Sequence, residues 1–430
     1  MLERLFQIKA HNTTVKTEVL AGVTTFLTMA YIIFVNPSIL SGAGMDYGAV
    51  FVATCLAAAI GCLIMGLWAN YPIALAPGMG LNAFFTYGVV LGMGNTWEVA
   101  LGAVFLSGII FILISIFKIR EWVINSIPST LKLGIAAGIG LFLAMIGLKN
   151  AGIIVDHPAT LVTMGDLSQP AAIYALLGFF IIAALAHLKV TGSVMIGILV
   201  ITVAAMLLGH NEFGGIMAAP PSIAPTFFAL DIAGALDVAM ISVIFAFLFV
   251  DLFDTSGTLI GVAERGNLLD KDGKLPRLKN ALLADSGATV AGSLLGTSST
   301  TSYIESASGV AAGGRTGLTA VVVAILFLIA LFFAPLAGSI PDYATAGALI
   351  YVAVLMAGSL SKVNWDDVTD AAPVLIAAFT IPLTFSIAHG IALAFVSYAL
   401  IKLFSGQGKE VSVAVYALAA LFIVKFVFFP

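Results

Sequence analysis

The segment GTSSTTSYIESASGVAAGG, from Gly296 to Gly314, lies between two strongly apolar stretches and is dense in Ser, Thr and Gly, with Glu305 near its centre. A second interrupted stretch, YPIALAPGMGLNAFF from Tyr71 to Phe85, has two prolines and two glycines where a continuous apolar helix would be expected. Non-helical backbone inside a membrane leaves N–H and C=O groups unpaired unless protein or a wet cavity satisfies them. Two such breaks at corresponding positions of two halves indicate a binding site. The alternative is that Gly and Pro only allow kinks or close helix packing.

The composition indicates that lipid surrounds most of the chain. Of 430 residues, 61% are hydrophobic, and only 18 are Lys or Arg and 22 Asp or Glu. A soluble domain carries about a quarter charged residues, so 9% cannot cover this chain in water. The net charge of -4, without basic clusters, argues against nucleic acid as a partner. Cys55 and Cys62 lie seven residues apart in one apolar run, which indicates buried packing residues and neither a disulfide framework nor a zinc site.

The apolar stretches predict an all-α polytopic membrane protein with fourteen transmembrane segments, because about 20 apolar residues cross a bilayer as a helix. The predicted spans are 18–40, 49–69, 72–91, 97–117, 131–149, 171–188, 191–209, 237–262, 279–296, 298–313, 317–337, 343–361, 371–386 and 389–404. Seven crossings in each half would give the halves opposite orientations, which predicts a 7+7 inverted repeat.

The positions of Lys and Arg fit this count, because cytoplasmic loops are enriched in basic residues. With a cytoplasmic N-terminus at 1–17, 16 of the 18 basic residues fall in that segment or in every second connection. The opposite connections at 41–48, 150–170 and 210–236 contain no Lys or Arg. The tail at 411–430 is also apolar, and it is expected to form either a fifteenth crossing or a helix packed on the inner face.

An ionisable side chain inside a predicted span costs roughly 2.5 to 3.5 kcal/mol on insertion scales, so the few acidic residues there are informative, and three of them are candidates for function. Asp251 and Asp254 are three residues apart in span eight, and Glu305 lies in the broken span ten. With no Lys or Arg expected at the same depth, at least one of them is expected to be protonated during part of a functional cycle. The alternative is that these acids cap backbone amides or bind neighbouring hydroxyl groups. Asn82, at the end of the first break, could complete a polar pocket or cap a helix.

Motifs of soluble enzymes are not supported. GVAAGGRT at Gly309–Thr316 nearly matches a phosphate-binding loop, but Arg315 replaces the lysine and a membrane helix surrounds it. DTSGT at Asp254 lacks the lysine of the phosphorylated loop of cation pumps, and the five histidines show no metal spacing. The sequence therefore favours transport driven by an ion gradient over catalysis, with no metal or organic cofactor.

Several strings resemble the AzgA-like permeases for adenine, guanine and hypoxanthine, which are nucleobase-cation symporters of the xanthine/uracil permease superfamily. These strings are TTFLTMAYIIFVNP (Thr24–Pro37), APGMGLNAFF (Ala76–Phe85), FVDLFDTSGTLIGVA (Phe249–Ala263), GTSSTTSYIESASGVAAGGRTGLTA (Gly296–Ala320) and ATAGALIYVAVLMA (Ala344–Ala357). The resemblance implies proton-coupled uptake of purine bases across a bacterial inner membrane.

The resemblance also implies the uracil-permease-like fold, in which short strands in broken spans 3 and 10 cross near the membrane centre. A core domain would comprise 18–117 and 237–337, a gate domain 131–209 and 343–404, and homodimers would form through the gate domain. Substrate-binding residues of the family map onto Asn82, Asp251 and Glu305, and Asp254 belongs to the same motif as Asp251. Asp251 and Asp254 are the expected residues for proton coupling or for support of the site.

Two other functions compete with this interpretation. An anion exchanger of the same fold would need a cationic or dipole-lined pocket, which the unpaired acids Asp251 and Glu305 oppose. An ion channel would conduct without saturating at low substrate concentration. A membrane enzyme is disfavoured because the sequence shows neither a nucleophile with its base nor a metal set.

Overall fold

The computed structural model describes residues 2–117, 127–271 and 275–428. Within these ranges the chain is mostly helical, and nine helical stretches are long and apolar enough to cross a membrane. Shorter apolar helices occur at Met79–Gly92, Ser193–Leu207, Val368–Leu383 and Val413–Val424. The prediction of a polytopic helical membrane protein is therefore confirmed. Some parts of the predicted inner loops and tail lie outside the described residues, namely Lys118, Arg120, Lys274 and Pro430.

The first half of the chain alternates long helices with one interrupted region. Its elements in order are α1 (Leu2–Phe6), α2 (Val15–Met29), α3 (Ile32–Ser41), α4 (Tyr47–Ile64), β1 (Leu75–Pro77), α5 (Met79–Ala83), α6 (Trp97–Ile116), α7 (Ser129–Asn150), β2 (Ile154–His157), β3 (Leu161–Met164), α8 (Pro170–His187) and α9 (Ser193–Leu207). π-Helical turns extend α4 through Met65–Ala69 and α5 through Phe84–Gly92.

The second half repeats the pattern. Its elements are α10 (Ile232–Ala235), α11 (Val238–Arg265), α12 (Leu278–Leu295), β4 (Thr300–Ser302), α13 (Ser306–Ala311), α14 (Gly317–Ala330), α15 (Ala334–Gly338), α16 (Asp342–Ala357), α17 (Val368–Leu383), α18 (Ile387–Phe404) and α19 (Val413–Phe428). Each predicted span contains at least one of these elements. The first span differs from the prediction of one helix, because it divides near Tyr31 into α2 and α3.

Helix starts follow local sequence signals. Thr14, Asp46 and Thr96 each accept a hydrogen bond from a backbone N–H in the first turn of the helix that follows. Such N-caps satisfy donors that have no partner within the helix. The connection after α7 contains a structure that was not predicted, since β2 and β3 form an antiparallel hairpin with Ile154 opposite Met164.

The helices pack in two groups. In the first group, α12 lies against α4 and α6, α14 lies against α2 and α4, and α11 lies against α6. In the second group, α7 lies against α16 and α17, α8 lies against α9 and α16, and α18 lies against α17. Contacts between the groups are sparser and include α5 with α7 and α11 with α18. A surface that separates two well-packed units is therefore present within the chain.

Glycines on α7 allow close packing in the second group. A Cβ atom at Gly138 would lie 2.7 Å from the carbonyl oxygen of Ala377, and one at Gly147 would lie 2.9 Å from that of Ala346. In lipid, helices associate through close van der Waals packing of small residues, because apolar burial alone gives no preference for protein over lipid. These glycines therefore bring α17 and α16 into direct contact with α7.

The C-terminal apolar segment forms α19, which packs against α18. The rings of Phe395 and Phe422 lie 6.0 Å apart, and those of His389 and Phe426 lie 5.9 Å apart. Since residue numbers rise along one helix as they fall along the other, α19 runs antiparallel to α18 over most of its length. The antiparallel course favours a fifteenth crossing for 411–430 over a helix on the inner face, and this topology stays a prediction.

A buried lysine holds the turn between these two helices. Lys402 lies 3.2 Å from Asp370 and 3.8 Å from Glu410, and its ammonium group also donates to Gln407 at 2.8 Å. The lysine thus joins the end of α18 to both the start of α17 and the turn that leads into α19.

Candidate functional site

The two broken spans meet where their short strands cross. β1 and β4 pair antiparallel, with Leu75 opposite Ser302 and Pro77 opposite Thr300. The pairing continues beyond the strands, because the N–H of Tyr303 donates to the carbonyl oxygen of Ala74 at 2.9 Å. These bonds satisfy backbone groups that non-helical segments would otherwise leave unpaired in the membrane. The expectation of short strands in spans 3 and 10 is therefore confirmed.

Two glycines allow the two strands to cross without a steric clash. Gly296 ends α12 with a φ of +99°, in the left-handed region that glycine adopts without a steric penalty, and the chain then turns towards β4. At Gly78 a Cβ atom would lie 2.5 Å from Cγ2 of Thr301, so a side chain there would collide with the opposite strand. The N–H of Gly78 instead donates to the carbonyl oxygen of Ser299 at 2.9 Å.

A cavity of about 680 Å³ lies next to this crossing, between the two packing groups. The first group contributes Gly80, Leu81, Ile304 and the stretch of α11 from Val250 to Ile260, and the second contributes parts of α7 and the end of α16. Arg265 and Lys362 also line it and are exposed. The volume falls in the range of small-molecule sites, which is roughly 300 to 1,000 Å³.

Asp254 is the predicted acid that faces this cavity. Its side chain is exposed there, and the hydroxyl group of Thr301 on β4 donates to its Oδ2 at 3.4 Å. A carboxylate in this position can accept hydrogen bonds from a ligand in the cavity.

Glu305 lies directly before α13, beside the cavity residue Ile304. Its side chain is partly exposed, and the hydroxyl group of Tyr31 donates to its Oε1 at 2.7 Å. The carboxylates of Glu305 and Asp254 are close enough to interact electrostatically. Tyr31 was not identified from the sequence, because its contact with Glu305 depends on the break between α2 and α3.

Asp251 lies away from the cavity surface, 1% exposed, although it is only one helical turn from Asp254. The hydroxyl group of Thr289 on α12 donates to its Oδ2 at 3.0 Å and also approaches the carbonyl oxygen of Thr300 at 2.9 Å. Its Oδ1 has no hydrogen-bond partner in the described part of the chain.

Asp285 on α12 is a further buried acid that the sequence reading missed. It is fully buried, it interacts directly with Asp251, and the hydroxyl group of Ser302 donates to its Oδ1 at 2.9 Å. Its Oδ2, like Oδ1 of Asp251, has no hydrogen-bond partner among residues 2–117, 127–271 and 275–428. A signal was present, since Asp285 is a lone acid within the predicted span 279–296.

Asn82 is fully buried on α5 and does not line the cavity described above. Its Nδ2 donates to Oδ1 of Asn36 at 2.9 Å, and Nδ2 of Asn36 contacts the hydroxyl groups of Thr54 and Thr297. Asn82 thus belongs to a polar network that ties α5 to α3, α4 and the start of the second break. Its role in substrate binding stays a prediction, as do the roles of Asp251 and Glu305.

Phe253 is the aromatic residue of α11 that lines the cavity. Its ring stacks on that of Phe249 with centroids 6.0 Å apart, and Nζ of Lys132 lies 5.8 Å from the ring centroid of Phe253. Lys132 also lines the cavity, so a basic group reaches the same space as Asp254, contrary to the expectation that none would. The flexible four-carbon stem of lysine explains this reach from the first turn of α7.

The acidic residues of the site have no ion-pair partner in the described ranges. The ion pairs among the described residues all involve Lys402, which lies near the end of α18 in the second group. Asp251, Asp254, Asp285 and Glu305 instead take hydrogen bonds from hydroxyl groups. Such a set can bind protons or accept hydrogen bonds from a neutral ligand.

Comparisons with known proteins agree with this architecture. A family model described as a permease family matches residues 16–393. Over 428 residues the chain is 53% identical to the adenine permease AdeP of Escherichia coli, covering 100% of this chain and 96% of that protein. It is 46% identical over 439 residues to the guanine/hypoxanthine permease PbuG of Bacillus subtilis, with coverage of 99% and 100%.

A solved structure shows the same fold at low sequence identity. The transmembrane domain of a cyanobacterium bicarbonate transporter, BicA, aligns with a TM-score of 0.67 and 18% identity, over 88% of this chain and 96% of that chain. The crossing of two broken spans is thus set in a known transporter fold. The chain belongs to the xanthine/uracil permease superfamily and, within it, to the family of AzgA-like adenine, guanine and hypoxanthine permeases.

Proposed function

We propose that this protein imports purine nucleobases by proton symport. The observation that carries the proposal is the cavity beside the two crossed strands, with Asp254 on its surface and Glu305 next to it. The names of relatives that are 46 to 53% identical support purines as the substrate class.

The site chemistry suits a purine. A purine base is planar and neutral and offers ring N–H donors and ring N acceptors along its edge, so carboxylates can accept its N–H groups. We assign this task to Asp254, which lines the cavity, and to Glu305, which follows the cavity residue Ile304, and we assign cover of the ring face to Phe253. Further donors and acceptors would come from the backbone where β1 and β4 end.

Asp251 is the carboxylate to which we assign the response to protons. It is buried, it has no cationic partner in the described chain, and one of its oxygens lacks a donor. Its protonation would remove the cost of a buried charge and favour the form of the site that binds the base.

We assign the first packing group as the core domain and the second as the gate domain. In this assignment the core carries the substrate and moves as a rigid body against the gate, as an elevator. The cavity lies on the side of Arg265 and Lys362, which the distribution of basic residues predicts to be cytoplasmic, so the conformation would be open to the inside. A homodimer would form through the gate.

The test is uptake of labelled adenine, guanine, hypoxanthine and uracil into proteoliposomes under an imposed pH gradient, with bicarbonate as a control anion. We expect purine uptake that a proton ionophore abolishes. Uptake of bicarbonate without purine uptake would contradict the proposal in favour of an anion exchanger. A current that does not saturate with purine would favour a channel.

A variant of Glu305 tests whether this site binds the purine. Glu305→Gln keeps the size of the side chain but loses an ionised acceptor, so we expect loss of the thermal stabilisation that purine gives the purified protein. The melting temperature without purine serves as the folding control. Undiminished stabilisation by purine would contradict the role of Glu305.

A further inference from the structure

We propose that Asp251 and Asp285 hold one proton between them. The hydroxyl groups of Thr255 and Thr301 carry this proton between the pair and the cavity-facing Asp254. The inference rests on the proposed proton symport and deepens it, because it names the group that stores the proton and the path by which the proton leaves.

The first step of the argument is the pair itself. Asp251 is 1% exposed and Asp285 is fully buried, and their side chains interact directly although they lie on different helices. Each carboxyl group takes a hydrogen bond on one oxygen, from Thr289 and Ser302 respectively, and each has a second oxygen without a donor in the described chain. Two adjacent ionised carboxylates in a membrane would repel each other, whereas one shared proton removes half of the charge and supplies the missing donor.

The second step is the connection to the cavity. The hydroxyl group of Thr301 lies 3.4 Å from Oδ2 of Asp254 and 3.0 Å from the hydroxyl group of Thr255. The side chain of Thr255 in turn lies near the carboxyl group of Asp285. Thr255 is fully buried and Thr301 is 1% exposed, so this chain of oxygen atoms runs from the cavity wall into the protein interior.

The geometry permits transfer in both directions. In the contact between Thr255 and Thr301, either oxygen can be the donor. During release, Asp285 gives its proton to Oγ1 of Thr255, which passes its own proton to Oγ1 of Thr301, which protonates Asp254. Each oxygen that loses a proton keeps the bonding electron pair, so both hydroxyl groups end neutral and one negative charge moves from Asp254 to the pair.

The titratable groups that surround this path belong to several elements. Asp251 interacts electrostatically with Asp285 and Asp254, and Asp254 interacts in the same way with Glu305 and Tyr303. Lys132 of α7 lines the same cavity as Asp254. Binding or release of a base at Asp254 and Glu305 would therefore change the field at the outer end of the path, which provides a physical link between substrate and proton.

Thr255→Val tests the path, because valine has the shape of threonine without the hydroxyl group. In proteoliposomes we expect exchange of labelled for unlabelled purine to remain within about twofold of the wild type, since exchange needs no net proton release. Net purine-driven proton uptake should fall by about tenfold or more, as expected when a proton-transfer group is removed. Thr255→Ser should restore it.

Thr202→Val is the matched control, since Thr202 is also a buried threonine in a helix but its hydroxyl group donates only to the carbonyl oxygen of Ile198 at 2.8 Å. Wild-type proton uptake in Thr255→Val, or equal loss of exchange and proton uptake with no rescue by serine, would overturn the path. If the wild type moves no purine at all, the proposed function fails instead.

A measurement without transport tests the pair. Infrared difference spectra of the purified protein should contain a band of a protonated carboxyl group that disappears in both Asp251→Asn and Asp285→Asn, because either change removes the sharing. Thermal unfolding checks that the variants are folded. A protonated-carboxyl spectrum unchanged in both variants would overturn the shared proton, whether or not the protein carries purines.

Discussion

Asp251 and Asp254 are one helical turn apart, but their side chains lie in different surroundings. Their spacing of three places them about 60° apart around a helix of 3.6 residues per turn. That angle is enough to direct Asp254 into the cavity and Asp251 towards Thr289 of α12. The sequence showed that both acids lie inside a span, but which of them meets the cavity depends on how α11 packs. Asp285 could have been identified as a lone acid inside a predicted span, but its contact with Asp251 joins two helices and could not.

Tyr31→Phe tests how Glu305 is positioned. The tyrosine hydroxyl group donates to Oε1 of Glu305 at 2.7 Å and fixes the direction of the carboxylate. Loss of about 1 kcal/mol of hydrogen bonding corresponds to roughly a fivefold weaker interaction, and we expect a rise of that order in the KM for purine uptake. Tyr47→Phe is the matched control, because its hydroxyl group donates to the carbonyl oxygen of Ala337 away from the cavity. An unchanged KM in Tyr31→Phe would contradict this role.

At the scale of elements, the broken spans were the most informative part of the sequence. Pro72, Pro77 and Gly78 predicted non-helical backbone in span three, and β1 lies there. The pairing of β1 with β4 joins residues more than 200 positions apart, so no local pattern could specify its register. The hairpin of β2 and β3 was missed because its strands are short and partly exposed, which leaves no buried face for a clear alternation of apolar residues.

Gly78→Ala tests the crossing of the two strands. The added Cβ would lie 2.5 Å from Cγ2 of Thr301, so the strands must separate or Thr301 must rotate away from Asp254. We expect a lower unfolding temperature together with reduced purine uptake. The matched control is Gly287→Ala on α12, where a Cβ meets no atom within 4 Å in the described structure and alanine favours the helix. Equal behaviour of the two variants would show that the crossing tolerates a side chain.

At the scale of the whole molecule, the two packing groups enclose the cavity without sharing many contacts. Hydropathy was sufficient to predict a polytopic helical membrane protein and the order of its apolar segments, because the length of a membrane helix follows from the thickness of the bilayer. The partners of each helix were expected from the family resemblance and not from periodicity, since nearly all faces of these helices are apolar. The likeness to BicA at 18% identity shows that this architecture persists while most residues change.

A reversible cross-link tests the proposed movement of core against gate. Arg265→Cys and Lys362→Cys place one thiol from each group on the exposed part of the cavity lining. We expect a reducible bifunctional thiosulfonate to stop uptake in this double variant and a reducing agent to restore it. Leu133→Cys with Ser359→Cys is the control pair, because both residues line the cavity from the second group and the hydroxyl group of Ser359 donates to the carbonyl oxygen of Leu133. Full uptake in the cross-linked Arg265/Lys362 pair would contradict rigid-body movement. The native Cys55 and Cys62 are buried, and treatment of the wild type checks that they do not react.

The antiparallel course of α19 along α18 affects which signal is expected from reporter proteins fused to the two ends of the chain. An even number of crossings leaves both chain ends on one side of the membrane, whereas an additional crossing by α19 places them on opposite sides. A fluorescent protein that matures only in the cytoplasm should then shine when fused before Leu2 and stay dark when fused after the last residue. An alkaline phosphatase that needs the oxidising side should show the reverse, and removal of α19 should exchange the two results at the C-terminal fusion.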